Sequence, residues 1–362
     1  MKINIDLIGG ARPNFMKISP IIDAIDNLYP DKISYRLIHT GQHYNDKMSG
    51  QFFRQLNIPE PHYNFRAGSG TPTEQTAKIM LEYDKLLKGV KPSFSIVFGD
   101  VTSTMACAIV AKKANIKVAH VEGGIRSGDM KMPEEINRKI TDSIADIFFT
   151  TTTTANQNLI NEGVSKRNIF LVGNTMIDTL MKHEKNFKVP DIWNSLKLRK
   201  KNYIVMTLHR PSNVDDKAIL EKYLDCILKY SRGKKIIFPI HPRTKKVLKS
   251  INIKYNNLFM IDPLGYLEFN YLVKNSMAVI TDSGGITEET TVMNIPCITL
   301  RDTTERPETV KIGSNELIGT NAKNISYALD KLFLNNWKKS QIPELWDGKS
   351  GERIIKHILS LS

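Results

Sequence analysis

His120-Val121-Glu122-Gly123-Gly124-Ile125-Arg126-Ser127-Gly128-Asp129-Met130-Lys131-Met132-Pro133-Glu134-Glu135-Ile136-Asn137-Arg138 is the stretch around which the chain is organised. It leaves an apolar, strand-like run (Ile116 to Val121) and crosses a glycine-rich loop. Order resumes at Pro133, a good first helical residue because its missing N–H would have no partner there. Beyond it Ile136, Ile140 and Ile144 recur at a spacing of four, with charge on the other faces, which predicts an amphipathic helix. Glu122 therefore falls at a strand end and Glu134 in the first turn of a helix. Each acid alone has a plain explanation: Glu134 complements the helix dipole, and Glu122 is a loop carboxylate. In an open α/β sheet, however, ligands bind at the carboxyl ends of the strands. Two carboxylates aimed at one such crevice, with Arg126 between them in sequence, point to chemistry.

Outward from this stretch the rhythm is strand, short loop, helix. Ile3–Ile8 runs into Gly9-Gly10, then Pro13 and a helical pattern through Met16, Ile21, Ile22 and Ile25. Ser34–His39 leads to Thr40-Gly41-Gln42-His43-Tyr44, and Phe94–Phe98 ends in Gly99-Asp100 before a helix over Thr102–Ala114. Phe148–Thr150 begins a fifth strand. Lys, Asn and Pro rise across Gly173–Leu196, which places a hinge there, and the same rhythm then restarts. Tyr203–Leu208 ends in His209-Arg210-Pro211 and Lys235–Ile240 in His241-Pro242-Arg243. Leu258–Ile261 follows, Ala278–Thr281 meets Asp282-Ser283-Gly284-Gly285, and Ile295–Leu300 meets Arg301-Asp302. Such alternation predicts an α/β protein with two doubly wound parallel sheets. The expected domains are residues 1–172 and 173–349, followed by a helical segment over 350–362.

Composition narrows the function classes. Forty-one per cent hydrophobic residues, 24% charged and no apolar run near the ~20 residues of a membrane span predict a soluble chain with no membrane partner. The opening Met1-Lys2-Ile3-Asn4-Ile5 enters a strand at once, without the pattern of a signal peptide. Cys107, Cys226 and Cys297 stand far apart in apolar contexts, as thiols in a reducing compartment do, so a cytoplasmic location is expected. Fifty-one basic residues against 37 acidic ones give a net charge of +14. The excess is scattered and lacks interleaved aromatic residues, which argues against a nucleic-acid partner and leaves a field that gathers small polyanions.

Asp282-Ser283-Gly284-Gly285-Ile286-Thr287-Glu288-Glu289 is the strongest anion signal. Backbone N–H groups at a helix start, with no side chain in the way, suit a diphosphate. Glu289, further along that helix, is placed to reach ribose hydroxyls. Gly9-Gly10-Ala11-Arg12-Pro13-Asn14 is a second candidate, but it lacks G-x-G-x-x-G, and strand two ends without the acid that holds an adenosine ribose. A nicotinamide cofactor is therefore not expected. Arg12 and Lys17 read as ligands for phosphate or sugar. Asp100, His209 and Arg210 are further polar strand ends, and His120 reads as a packed loop histidine. No zinc-type spacing supports a metal.

Taken together, Gly10-Ala11-Arg12-Pro13, Gly99-Asp100, His120-Val121-Glu122-Gly123-Gly124, Pro133-Glu134-Glu135-Ile136-Asn137-Arg138, Val172-Gly173-Asn174-Thr175, His209-Arg210, Asp282-Ser283-Gly284-Gly285-Ile286 and Arg301 to Glu308 resemble the non-hydrolysing UDP-N-acetylglucosamine 2-epimerase family. The resemblance runs along nearly the whole length. It implies a GT-B architecture, two Rossmann-like domains with the nucleotide in the cleft between them, and a last helix returning to the first domain. It also implies a cytoplasmic homodimer that needs no cofactor. The implied reaction inverts C2 of the sugar by eliminating UDP to a 2-acetamidoglucal and adding it back. That chemistry needs acid/base groups on both faces and support for the departing diphosphate.

By the same resemblance Asp100, Glu122 and Glu134 are the acid/base residues, one of them with a pKa raised in a desolvated, carboxylate-rich site. His209 lies beside the diphosphate. Arg12, Ser283, Gly284 and Gly285 hold phosphate, Glu289 the ribose, and Phe269 packs near uracil. Lys17, Arg210 and Arg306 complete the expected UDP-sugar contacts. Asn14-Phe15 after Arg12-Pro13, Gln42-His43-Tyr44 and His241-Pro242-Arg243-Thr244 depart from the common bacterial pattern. They resemble the branch acting on UDP-2,3-diacetamido-2,3-dideoxyglucuronate. A GT-B glycosyltransferase is a further alternative, though no acceptor-binding signature accompanies it.

Overall fold

The computed structural model describes residues 2–41, 53–68, 70–251 and 255–361, so Gln42, His43 and Tyr44 lie outside the described residues. The chain divides into two compact units, Met1–Lys182 with Glu344–Ser362, and His183–Pro343. Each is built on one parallel sheet. In the first unit the strands are β1 (Ile3–Gly9), β2 (Ile33–His39), β3 (Tyr63–Asn64), β4 (Phe94–Phe98), β5 (Lys117–Val121), β6 (Ile147–Thr150) and β7 (Ile169–Leu171). Their order across the sheet is β3-β2-β1-β4-β5-β6-β7. In the second unit β8 (Tyr203–Thr207), β9 (Lys235–Pro239), β10 (Leu258–Ile261), β11 (Ala278–Thr281), β12 (Cys297–Thr299) and β13 (Asn315–Leu317) run in the order β10-β9-β8-β11-β12-β13.

Helices cover both faces of each sheet, so the central strands are apolar throughout instead of alternating. Phe94 to Phe98 are all buried, as are Ile147 to Thr150 and Ala278 to Thr281. In the second unit the two sides of β8 feed separate cores. Ile204 and Met206 pack with Leu224 and Leu329, whereas Tyr203 and Val205 pack with Leu272 and Val273. In both sheets the strand order reverses once, between β1 and β4 and between β8 and β11. Those two reversals open crevices at the carboxyl ends of the strands, which is where this class of sheet takes ligands.

The helix after the central loop spans Pro133–Ile144, as its periodicity predicts, but the isoleucine stripe is not its buried face. Ile136 is 41% exposed, while Glu135, Asn137, Arg138, Thr141 and Asp142 are buried. The reason lies in the glycine loop, whose backbone donors need carboxylate acceptors that this helix supplies. His120 likewise sits within β5, not in a loop, and is fully buried.

The first helix, Arg12–Leu28, contains Pro20 in its interior. Proline has no N–H, so the carbonyl four residues back loses its helical donor. That carbonyl belongs to Met16, and the Thr179 hydroxyl donates to it at 2.6 Å. Thr179 lies on the helix Thr175–His183, whose Asp178 also accepts the Gly351 N–H at 2.8 Å. Gly351 opens the last helix, Ser350–Ser360, against the Pro20 backbone, where a Cβ would stand 2.4 Å from the Pro20 oxygen. Trp346, buried, donates its indole N–H to the Thr151 carbonyl. The C-terminal segment is thus tied to the first sheet by directed bonds. Among the described residues no helix is long and apolar enough to cross a membrane.

The Thr179 bond gives a direct test. Thr179→Val keeps shape but leaves the Met16 carbonyl buried without a donor, at a cost of about 1–3 kcal/mol. Urea unfolding should register that loss for Thr179→Val and a smaller one for Thr179→Ser.

Candidate active site

At the carboxyl end of β1 the chain passes through Gly9-Gly10 into the helix Arg12–Leu28. The N–H groups of Gly10 and Ala11 are already taken by the Asn14 side-chain oxygen, at 3.1 and 3.0 Å. Asn14 in turn donates to the Phe98 carbonyl at 2.9 Å, binding this turn to the end of β4. The turn is therefore a self-capped structural joint, not the second phosphate cradle its glycines suggest. Arg12 begins the helix half-buried, and burial lowers its guanidinium pKa. Lys17, one turn further, is buried and pairs with Glu122 Oε2 at 2.7 Å. Glu122 lies just past β5 with φ +71°, a conformation that glutamate seldom adopts. Its N–H is fixed by the Phe149 carbonyl at 2.9 Å.

Asp100 follows β4. Its side chain meets Arg138, and its carbonyl accepts from Asn137 at 2.8 Å. Arg138 also pairs with Glu135 at 2.8 Å. Glu135 accepts the Ser127 and Gly128 N–H groups at 2.9 and 3.1 Å, so the acid beside Glu134 holds the glycine loop. Burial pushes the Glu135 carboxyl up, but these donors and Arg138 outweigh it and hold it below the usual range. Glu134 is half-buried in the same first turn. Two of the three expected acids thus face cations, Lys17 and Arg138. The carboxylate-rich hollow inferred for them is in fact a lattice of alternating charge.

Deeper, His120 Nδ1 meets Asp142 Oδ1 at 2.6 Å and Nε2 meets the Gly99 carbonyl at 2.7 Å. Asp142 Oδ2 takes the Gly124 N–H at 3.0 Å and Arg126 at 2.7 Å. Burial raises the Asp142 carboxyl, yet its pairing with His120 and Arg126 and the Gly124 N–H bring it below its usual range.

In the second unit the helix Gly284–Val292 starts directly from β11. Ser283 occupies its N-cap position without a side-chain cap bond, and the helix opens on two glycines. Unsatisfied first-turn N–H groups and the dipole's positive end suit an anion. Arg301 stands beside them, its Nη1 3.8 Å from where a Gly284 Cβ would be. Asp282 ties the crevice together. It accepts from the backbone N–H of His209 and of Arg210 at 3.0 and 2.9 Å, from Asn213, and from His209 Nδ1 at 2.7 Å. Arg210 reaches Glu305 at 3.6 Å, and Arg301 pairs with the same carboxylate at 2.7 Å.

Ser283, Gly284, Gly285, His209 and Arg210 are thus gathered at one strand reversal. Arg306 is instead engaged by Glu288 at 2.5 Å. Phe269 packs, half-buried, on the core beneath. Glu289 is 4% exposed and accepts from the Tyr266 hydroxyl at 2.9 Å. Burial pushes its carboxyl up to about 7, against the pull of that bond.

A sequence profile described as UDP-N-acetylglucosamine 2-epimerase matches residues 27–359. A UDP-N-acetylglucosamine 2-epimerase of Methanocaldococcus jannaschii is 45% identical over 98% of both chains. The chain belongs to the UDP-N-acetylglucosamine 2-epimerase family. It is accordingly an isomerase with a GT-B type fold. A crystal structure of the Methanocaldococcus jannaschii enzyme in complex with UDP-GlcNAc and UDP superposes with a TM-score of 0.87 at 43% identity, covering all of both chains. A UDP-2,3-diacetamido-2,3-dideoxy-D-glucuronate 2-epimerase of Pseudomonas aeruginosa is 38% identical over 86% of both chains.

Four polar residues that organise the two crevices had no role assigned from sequence. Asn14, Asp142, Asp282 and Arg301 act on backbone and on other side chains, and only their position at strand ends or on the inward helix face hints at it.

The buried Glu289 gives a pH prediction. Its pKa rises from 4.5 unfolded to about 7 folded, so across that window the native state binds more protons. Stability from this group is complete below 4.5 and lost as pH rises through about 7. The shift corresponds to about 3 kcal/mol at most. Denaturant unfolding from pH 4.5 to 8 should show Glu289→Gln gaining stability relative to the parent by up to that amount. Parallel curves would remove the argument.

Proposed function

We propose that this chain interconverts UDP-N-acetylglucosamine and UDP-N-acetylmannosamine. The reading is carried by one observation: Asp100 and Glu122 close adjacent strands and face Arg138 and Lys17, in a chain 45% identical to such an enzyme. The C2 hydrogen is not acidic, since no carbonyl adjoins it. It can leave only as the C1–O bond breaks. The proton then passes to a carboxylate, the C–H electron pair forms the C1=C2 bond, and the C1–O pair departs with UDP. In the return step a diphosphate oxygen attacks C1 while a proton reaches the opposite face of C2. No redox cofactor enters this balance.

The division of labour follows the chemistry of the two units. Asp100, Glu122 and Glu134 supply acid and base, each contributing on the order of 10²–10⁴. Lys17 compensates a negative charge at Glu122. The Gly284 helix start, Arg210, Arg301 and His209 offer positive potential to a departing diphosphate. Arg12, Glu289, Phe269 and Arg306 are further contacts for the nucleotide. The Pseudomonas aeruginosa relative supports the diacetamido-uronate as a second substrate, ranked lower by its smaller identity. A homodimer belongs to the same reading, testable by sedimentation.

Incubation with UDP-GlcNAc in D2O, without added cofactor, should yield UDP-ManNAc bearing deuterium at C2. Asp100→Asn, Glu122→Gln and Glu134→Gln should each slow exchange by about 10²-fold or more. Epimerisation without deuterium uptake would sink the elimination route. Turnover of the diacetamido-uronate alone would transfer the reading to that substrate, and turnover of neither would overturn it.

A further inference from the structure

Beneath the acids runs a bridge that the proposed chemistry does not itself use. The Gly99 carbonyl can only accept, so His120 Nε2 carries a hydrogen and donates it across 2.7 Å. The other ring nitrogen faces Asp142 at 2.6 Å, and Asp142 holds the Gly124 N–H at 3.0 Å. His120 is 0% exposed and Asp142 3%, so neither reaches solvent or a substrate.

The ends of the bridge are informative. Gly99 immediately precedes Asp100, and Gly124 follows Glu122 by two residues. Gly99 takes φ +64°, and a Cβ there would stand 2.8 Å from Lys17 Nζ and 3.7 Å from Glu122 Oε2. A displacement of the Gly99 turn would therefore strike the Lys17–Glu122 pair directly. Gly124 has as little room, since a Cβ there would lie 2.3 Å from the Ala155 carbonyl oxygen. Its own carbonyl is held by Asn158 at 2.8 Å.

We infer that His120 and Asp142 are positioning residues, spacing the turn that carries Asp100 against the turn that carries Glu122. The inference rests on the proposed C2 proton exchange, and it assigns the bridge a geometric role, not a charge role. Misplacing a reacting group by about 1 Å can cost about 10²-fold in rate without a comparable loss of binding.

The test separates geometry from charge. In Asp142→Asn the new amide nitrogen can donate to His120 Nδ1. Its oxygen keeps the Gly124 N–H and Arg126, so the bridge survives and the charge does not. In His120→Ala the bridge is gone. For His120→Ala the expected result is a kcat for C2 deuterium exchange about 100-fold below the parent, with KM within about threefold. Calorimetric affinity for UDP should stay unchanged. Asp142→Asn should keep kcat within about fivefold.

A merely structural role predicts that kcat and UDP affinity fall while KM rises, and that outcome overturns the inference. So does a His120→Ala enzyme as fast as the parent, or an Asp142→Asn enzyme as slow as His120→Ala. Where His120→Ala does not fold, His120→Gln replaces it. Its amide can serve the Gly99 carbonyl, but its oxygen then meets the Asp142 carboxylate acceptor to acceptor, and the same loss is expected. A parent that exchanges no deuterium with either candidate substrate overturns the functional reading itself. An active parent with an equally active His120→Ala overturns only the bridge.

Discussion

The charged face of the helix Pro133–Ile144 is turned into the protein, and most of the first unit's site follows from that burial. Removing carboxylates and guanidinium groups from water is costly unless every one finds a partner. Here Glu135 is satisfied by Ser127, Gly128 and Arg138, and Asp142 by His120, Arg126 and Gly124. Ile125 is the apolar side chain the glycine-rich loop buries, and its glycines have none to pack. Its backbone donors are instead pinned by carboxylates, which set the loop's path atom by atom. Rigidity in the loop is thus obtained from a helix that turns its polar face inward and leaves Ile136 exposed.

The parallel sheets supply the other half of the geometry. Because both reversals in strand order fall beside the first strand of each sheet, the loops that leave β1, β4 and β5 emerge together, as do those leaving β8 and β11. Residues more than a hundred positions apart, such as Lys17 and Glu122, therefore meet at 2.7 Å without any long excursion of chain. Asn14 and Asp282 then sew neighbouring strand ends to one another. Sequence distance is no guide to these contacts, but strand order is.

That distinction explains what was legible in advance. Buried parallel strands are apolar runs that end in glycine or charge, so Phe94–Phe98, Leu258–Ile261 and Ala278–Thr281 fall where the residues say they should. Tyr63–Asn64 and Asn315–Leu317 carry no such signal, being edge strands of two or three residues whose pairing is set by a neighbour. Acid and glycine motifs mark the site because catalysis and anion binding need particular residue types. The stripe of Ile136, Ile140 and Ile144 misleads because periodicity reports which face is apolar, not which face is inward. Where a polar loop must be held, the two differ. Asp142 and Glu135 look like solvated charges until the loop they hold is known.

The two units use one device to different ends. In each, a buried aspartate holds backbone N–H from a loop at a strand end and engages an imidazole: Asp142 with Gly124 and His120, Asp282 with His209 and Arg210. Burial opposes the charge of both aspartates, and their donors outweigh it, leaving both carboxyls below their usual range. The difference lies in the histidine. His120 spends both ring nitrogens inside the protein, whereas the His209 side chain is 43% exposed and its Nδ1 is committed to Asp282. An imidazole locked on both sides can transmit position and nothing else. One oriented through Nδ1 and open on its far edge can meet a ligand, and the Gly284 helix start and Arg301 give that crevice the positive potential an anion requires.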